Sequence, residues 1–375
     1  MQSRQTEVEN RLKQVVSPLL DWYYANRRTL PWRERRRAYD IWVSEIMLQQ
    51  TRVEAVKPYY ARFMEHLPDI RALAECPEDK LLKLWEGLGY YNRVRNMQKA
   101  AKEVMKQYGG ILPASYEKLL ELPGIGSYTA GAIASIAYEI PVPAVDGNVL
   151  RVVTRITEDA SDILKQSVKK RMEQMLTEIM PEDVPGDFNQ AMMELGAVVC
   201  VPNGQPKCQE CPVSGSCLAF RHGTISRFPV KTPPKARTIE ERSVLVIQDG
   251  FRTAIRKRPA KGLLAGLYEL PNISGHLNRD EVVKYLETME LEPLYIEELE
   301  PAKHIFSHIE WRMIGYRVRV AALELKKDNR KDPVSGKAAD FLFESRAGMR
   351  QEYPIPAAFS AYTKSIKGMD PEEQN

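Results

Sequence analysis

Four of the five cysteines, Cys200, Cys208, Cys211 and Cys217, fall close together in the pattern C-x7-C-x2-C-x5-C. Thiolates this crowded can share one centre, either Zn²⁺ or a 4Fe–4S cluster, and spacing alone does not separate the two. Four unrelated buried thiols is the weaker reading, because the rest of the chain holds only Cys76. An electron carrier is one function such a centre could serve, but the motif occupies a small fraction of the sequence. Cys76, in Ala-Glu-Cys-Pro, reads as a buried small side chain rather than a ligand.

Leu122-Pro-Gly-Ile-Gly-Ser-Tyr-Thr-Ala sets two glycines one residue apart, just ahead of an apolar helix. Gly124 and Gly126 can expose backbone N–H groups in a tight turn, and the following helix N-terminus adds positive partial charge. Such a turn holds a phosphate without reading sequence; a plain packing joint between two helices is the alternative. Glu45 lies in a largely apolar helical pattern. A glutamate on an amphipathic helix is ordinarily solvated, but apolar enclosure would lift its pKa from about 4.3 towards about 6, where general acids operate. Asp146 precedes a helix expected near Val149 and reads as its N-cap, or as a carboxylate that steadies positive charge in a water-poor site.

Trp42-Val-Ser-Glu-Ile-Met-Leu-Gln-Gln-Thr, Gly87-Leu-Gly-Tyr-Tyr, the glycine hairpin, Val145-Asp-Gly-Asn-Val and the cysteine quartet occur in that order. Together they resemble the adenine DNA glycosylase (MutY) family, within the endonuclease III-like helix-hairpin-helix superfamily, over nearly the whole chain. The resemblance implies base-excision repair of adenine mispaired with 8-oxoguanine or guanine in double-stranded DNA. It implies that Glu45 protonates adenine N7 and that Asp146 stabilises the oxocarbenium-like sugar, with a covalent adduct as an option. Asn148 would orient Asp146, and Tyr128 would contact the site. The two carboxylates would divide the labour as they do in glycoside hydrolysis.

Other positions follow from the same resemblance. Trp32, Arg33 and Gln190 match the lining of the adenine pocket. Gln50 and Tyr90 match positions that intercalate where the flipped nucleotide leaves a gap, and Arg52, Gly124 and Gly126 join the DNA-binding set. Arg35, Arg36 and Arg37 form a basic run beside the pocket, read as a solvated face or a phosphate contact. Phe306, Ser307 and His308 match the loop that inspects 8-oxoguanine. Tyr128 stands where bifunctional relatives carry a Schiff-base lysine; a phenol forms no imine, so monofunctional hydrolysis is expected. The cysteines would hold a 4Fe–4S cluster rather than zinc, although the family commonly has C-x6-C where this chain has C-x7-C with Gly204 inside; an extra loop residue can bulge without moving a ligand. The competing function is a catalytically dead helix-hairpin-helix DNA-binding protein with a structural metal centre.

The elements that must position these groups are expected to be mainly helical up to about residue 225. Apolar residues recur at helical spacing through 39–60, 77–85, 94–108, 129–138, 149–156 and 163–179. A Pro-rich basic passage predicts a linker over 226–240, and period-two stretches predict an α+β domain over 241–365 with strands at 243–248, 253–257 and 316–321. Gly262-Leu-Leu-Ala-Gly-Leu-Tyr-Glu-Leu-Pro resembles the opening of a Nudix (MutT-like) domain. A pyrophosphohydrolase of that fold needs an R-E-x-x-E-E helix, whereas Arg279-Asp-Glu-Val-Val-Lys-Tyr-Leu-Glu offers scattered carboxylates. The domain is therefore expected to recognise rather than hydrolyse, without Mg²⁺. An acidic tail is expected over 366–375.

Composition sets outer limits. With 43% hydrophobic and 28% charged residues the chain is neither disordered nor membrane-spanning in type. Its longest apolar region, 130–145, is broken by Glu139, Pro141 and Pro143, and its start lacks the apolar core of a signal peptide. A cytoplasmic, nucleoid-associated monomer is expected. The net charge of +4 permits a polyanionic partner without demanding one.

Overall fold

The computed structural model describes residues 2–233, 235–321 and 341–366. The chain divides into two compact units, Met1–Cys76 with Asn92–Pro233, and Pro77–Tyr91 with Pro234–Asn375. Nearly all of the expected acidic tail, residues 367–375, lies outside the described residues. No helix among them is long and apolar enough to cross a membrane.

The first unit is helical. Along the chain come α1 (Gln2–Lys13), α2 (Val16–Asn26), a 3₁₀ turn (Pro31–Arg33), α3 (Ala38–Leu48), α4 (Val53–His66) and α5 (Ile70–Glu75). The next helix, α6 (Glu78–Leu84), groups with the second unit. There follow α7 (Asn92–Tyr108), α8 (Tyr116–Leu120), α9 (Ser127–Tyr138), α10 (Gly147–Thr157), α11 (Gln166–Thr177), α12 (Pro185–Val198) and α13 (Leu218–Arg221). The apolar period through 39–60 predicts one helix, but the structure divides it into α3 and α4. Gln50 adopts φ +59° and Arg52 is extended, conformations that end one helix and start another. Arg93 Nη1 closes the break by donating to the Ile46 and Gln49 carbonyls at 2.7 Å each, groups a helix end leaves without partners.

Helix α3 is buried from Tyr39 to Met47, as expected of a helix apolar nearly all round. It packs on α9, itself buried from Thr129 to Ile136. α9 ends at Glu139, in the left-handed region, ahead of Pro141 and Pro143. The segment leading to Asp146 then crosses the face of α9 at Gly131, where a Cβ would stand 2.3 Å from the Pro143 carbonyl oxygen. Only glycine permits that approach, and the approach delivers Asp146 to the start of α10. Asp146 caps this helix, accepting from the Asn148 and Val149 backbone N–H groups. One core of the unit joins Leu19 and Tyr23 of α2, Val149 to Ile156 of α10, and Phe188 to Leu195 of α12.

The second unit is built on a mixed sheet of β1 (Thr238–Asp249), β2 (Arg252–Lys257), β3 (Tyr268–Glu269), β4 (Asn272–Ser274), β5 (Pro293–Ile305), β6 (Ile309–Val320) and β7 (Phe341–Ser345). Its order is β3-β2-β1-β6-β5, with β4 paired to β1 and β7 to β2. β1 and β6 run parallel, with Val244 opposite Gly315, while the other pairs are antiparallel. Alternation along β1 feeds two cores. Leu245 and Ile247 meet Val282 and Leu286 of α14 (Arg279–Thr288), and Val244 and Val246 join the core that holds Trp311, Phe359 and Tyr362. β1 begins at Thr238, inside the passage expected to be linker. In α14, Glu281 is engaged in a capping box with Asn278, so this carboxylate serves the helix end. Helix α6 is tied into the same unit: Lys83 Nζ donates to the Tyr353 carbonyl at 3.0 Å, and the Ile355 N–H donates to Glu86 at 2.8 Å.

Candidate active site

An open pocket of about 1310 Å³ is enclosed by the first unit. Its wall takes Glu45 from the centre of α3, Tyr128 from the first turn of α9, and Asp146 and Asn148 from the start of α10. Trp32 and Arg33 come from the 3₁₀ turn and Gln190 from α12, so the seven residues expected for catalysis and adenine binding share one cavity. Gln50 lies at the same wall.

Burial dominates the electrostatics. Glu45 is 7% exposed, and its pKa is pushed up to about 7. Loss of water is the main cause and the Asp146 charge adds to it, against a hydrogen bond from Tyr128 and the charge of Arg33. The value exceeds the expected range because α3 is enclosed on all sides, not on one face. Tyr128 donates a short hydrogen bond to Glu45 Oε2, and its hydroxyl lies 3.3 Å from Met193 Sδ. Burial and two nearby carboxylates hold this phenol well above its ordinary range, so it donates and does not ionise. Asp146 is also raised by burial, but it accepts from Val149 N, from Asn148 Nδ2 at 2.6 Å and from Asn148 N. Three N–H donors favour the charged form, so Asp146 is the carboxylate better able to remain ionised. One acid that keeps its proton near neutrality thus faces one carboxylate equipped to lose it.

The four clustered thiols line a second, small apolar cavity with Val152, Ile156 and Leu195. Burial, and then the neighbouring cysteines, push Cys211 up to about 12, and burial raises Cys208 and Cys217. A bound cation would reverse that penalty by displacing the protons. Arg155 Nη1 donates to Cys200 Sγ at 3.2 Å, a contact suited to thiolate. Among the described residues no three His, Cys, Asp or Glu close on the position of a single metal ion. The four thiols line one cavity together, and as a donor set they suit a centre held by thiolates. Within the loop from Cys200 to Cys208, Gly204 adopts φ +76°.

Comparison with known proteins bears on this arrangement. Residues 43–178 match the HhH-GPD superfamily base excision DNA repair family, and residues 243–365 match the NUDIX domain family. The adenine DNA glycosylase of Rattus norvegicus is 36% identical over 82% of this chain and 70% of its own length. That of Arabidopsis thaliana is 35% identical over 91% of this chain and 63% of its own, so the chain spans about two thirds of these relatives. The chain belongs to the adenine DNA glycosylase family. A solved thermostable thymine-DNA glycosylase superposes with a TM-score of 0.52 at 28% identity, covering 57% of this chain and 98% of that one. The protein is accordingly a DNA glycosylase of base excision repair, an enzyme that hydrolyses N-glycosidic bonds, with an endonuclease III-like helical region and a Nudix-like domain.

The remaining expected residues of the glycosylase are distributed as follows. Gly124, at φ +78°, turns the chain between α8 and α9, and a Cβ there would meet Asn96 at 2.7 Å; Gly126 precedes α9 in extended backbone. Arg52 is exposed at the N-cap of α4. Tyr90 belongs to the second unit, where it is 52% exposed at φ +46° and its hydroxyl lies 3.1 Å from that of Ser307. Phe306, Ser307 and His308 form the tip of the β5–β6 hairpin; Phe306 packs between His304 and Trp311, while Ser307 and His308 are exposed.

The arginine run, Arg35 to Arg37, is exposed, as a solvated face would be. Arg36 pairs with Asp187 at 2.5 Å and Arg37 with Asp40 at 2.6 Å, so two of the three guanidiniums are engaged within the unit. Sequence reading also missed Arg28, Met193 and Glu194 at the pocket wall. Glu194 follows Gln190 by four residues on α12, a spacing that puts both on one face, and that was the available signal.

Proposed function

We propose that this glycosylase removes adenine paired with 8-oxoguanine or guanine in double-stranded DNA, by monofunctional hydrolysis of a flipped nucleotide. Extruding the base costs a few kcal/mol and brings it into the pocket of the helical unit. Glu45 gives its proton to adenine N7, which makes the base a neutral leaving group; Tyr128 steadies the carboxyl through its hydrogen bond. As the glycosidic bond breaks, positive charge develops on the sugar, and ionised Asp146, oriented by Asn148, stabilises it. Water then attacks the sugar with Glu45 as base. The observation that carries the reading is a glutamic acid with a pKa near 7 facing a triply hydrogen-bonded aspartate across one pocket.

Phenol chemistry at position 128 supports hydrolysis without strand cleavage. Release of free adenine from an 8-oxoguanine:adenine duplex, with no adduct trapped by borohydride, is the expected outcome. A trapped wild-type adduct would contradict it.

Recognition of the partner base is assigned to the hairpin tip, where Ser307 can accept from the N7–H that distinguishes 8-oxoguanine from guanine. Gln50, Tyr90, Arg52 and the Gly124–Gly126 turn are assigned to DNA. Cys200, Cys208, Cys211 and Cys217 would hold a 4Fe–4S cluster, which when bound would crosslink the segment that carries them. Broad visible charge-transfer absorption from the purified protein is expected, and a colourless zinc protein would contradict the assignment. We further take the protein to act as a monomer in the nucleoid.

A further inference from the structure

Behind the catalytic pair lies a second set of charges whose arrangement the reaction scheme does not use. Glu194, 1% exposed, accepts from Arg28 Nε at 2.6 Å and Arg28 Nη2 at 3.0 Å, and from Arg33 Nη2 at 2.8 Å. Arg33 Nη1 also donates to the Arg28 carbonyl at 3.2 Å, and its guanidinium lies 5.9 Å from the centre of the Tyr23 ring. One buried carboxylate thus restrains two guanidiniums. Burial alone would raise the pKa of Glu194, but hydrogen bonds and charge from the two arginines outweigh it and keep the group ionised.

We propose that Glu194 is a positioning residue that clamps Arg28 and Arg33 against the pocket wall and so prevents Arg33 from pairing with Glu45. The proposal rests on Glu45 being the general acid. The groups acting on Glu45 are Tyr128 from α9, Asp146 from the start of α10 and Arg33 from the 3₁₀ turn; Arg33 is the cation among them. Without the Glu194 charge, two guanidiniums remain beside the same cavity, whose wall carries the carboxylates of Glu34, Glu45 and Asp146; of these Arg33 acts on Glu45. Arg33 is 18% exposed, and a largely enclosed cation recruits a neighbouring anion because leaving it uncompensated is unfavourable. Arg33 would then hold Glu45 in its ionised form, and the acid would be lost at neutral pH. The clamp accounts for how an arginine can line an adenine pocket without discharging the acid that serves it.

The test is the pH profile of single-turnover adenine release by the full-length protein, with duplex affinity and circular dichroism as controls for folding. In Glu194→Gln the alkaline limb should move down by about one pH unit, giving a roughly tenfold loss near neutrality and a much smaller loss in acid. Adding Arg33→Gln should return the limb to the wild-type position or above it. Glu194→Asp, charged but too short to reach both guanidiniums, should shift the limb in the same direction by less; it carries the test if Glu194→Gln does not fold. An unshifted limb in the folded variants, or a double variant whose limb stays where Glu194→Gln puts it, overturns the clamp. If the wild-type protein itself has no alkaline limb, the acid assignment fails first, and that result is distinct from failure of the clamp.

Discussion

Glu45 imposes a cost on the fold that its chemistry requires. Its proton is held to about 7 in the folded protein, against an ordinary value near 4.5 when unfolded. Between those values the folded state binds the extra proton, so stability falls as pH rises through the window and the penalty is complete above it. The span corresponds to at most about 3 kcal/mol. Glu45→Gln removes the ionisable group. Its thermal midpoint should therefore exceed that of the wild type in mildly alkaline buffer, with the difference shrinking as pH falls and vanishing well below about pH 4.5, where the wild-type group is protonated in both states. A midpoint difference that is the same at both extremes would show that Glu45 is not held protonated by burial. The direction of this effect was legible in the sequence, because Glu45 sits among Ile41, Trp42, Ile46 and Met47. Its extent was not, since it depends on α9 covering the side of α3 that a one-dimensional pattern leaves open.

At the scale of elements, the hairpin between α8 and α9 separates two uses of glycine. Gly124 needs its left-handed φ and has Asn96 in the place of a Cβ; Gly126 has ordinary backbone and open space around it. Gly124→Ala should cost about 1–3 kcal/mol of stability, whereas Gly126→Ala should leave stability within about 0.5 kcal/mol. If the turn holds a phosphate, Gly126→Ala should still weaken binding to undamaged duplex, measured at constant salt, because its Cβ would crowd the approaching DNA backbone. Equal affinities would leave the turn as a packing joint. Turn and helix were readable here because glycine spacing and apolar period are local signals. The break between α3 and α4 was not, because Gln50 has no turn-forming side chain and the Arg93 that seals the break lies more than forty residues away.

For the molecule as a whole, two domain types could be named from motifs, yet α6 belongs to the second unit although it lies within the helical stretch of the chain. Its anchors, Lys83 to the Tyr353 carbonyl and Glu86 to the Ile355 N–H, join residues far apart in sequence, and no periodicity reports such contacts. The same unit brings Tyr90 and Ser307 within hydrogen-bond distance. Ser307→Ala should leave adenine release from guanine:adenine duplexes nearly unchanged and slow release from 8-oxoguanine:adenine duplexes, narrowing the ratio by about tenfold, the worth of one hydrogen bond to a buried polar group. An unchanged ratio would remove Ser307 from lesion recognition.

The central claim, that a protonated glutamic acid and an ionised aspartate act together on one extruded nucleotide, is tested most directly by single-turnover release of free adenine from an 8-oxoguanine:adenine duplex as a function of pH. The rate is predicted to decline above an apparent pKa of about 7, and to fall to background in Glu45→Gln and in Asp146→Asn while both variants still bind the duplex. A rate that holds constant or rises through the alkaline range, or wild-type release by either variant, would contradict the account.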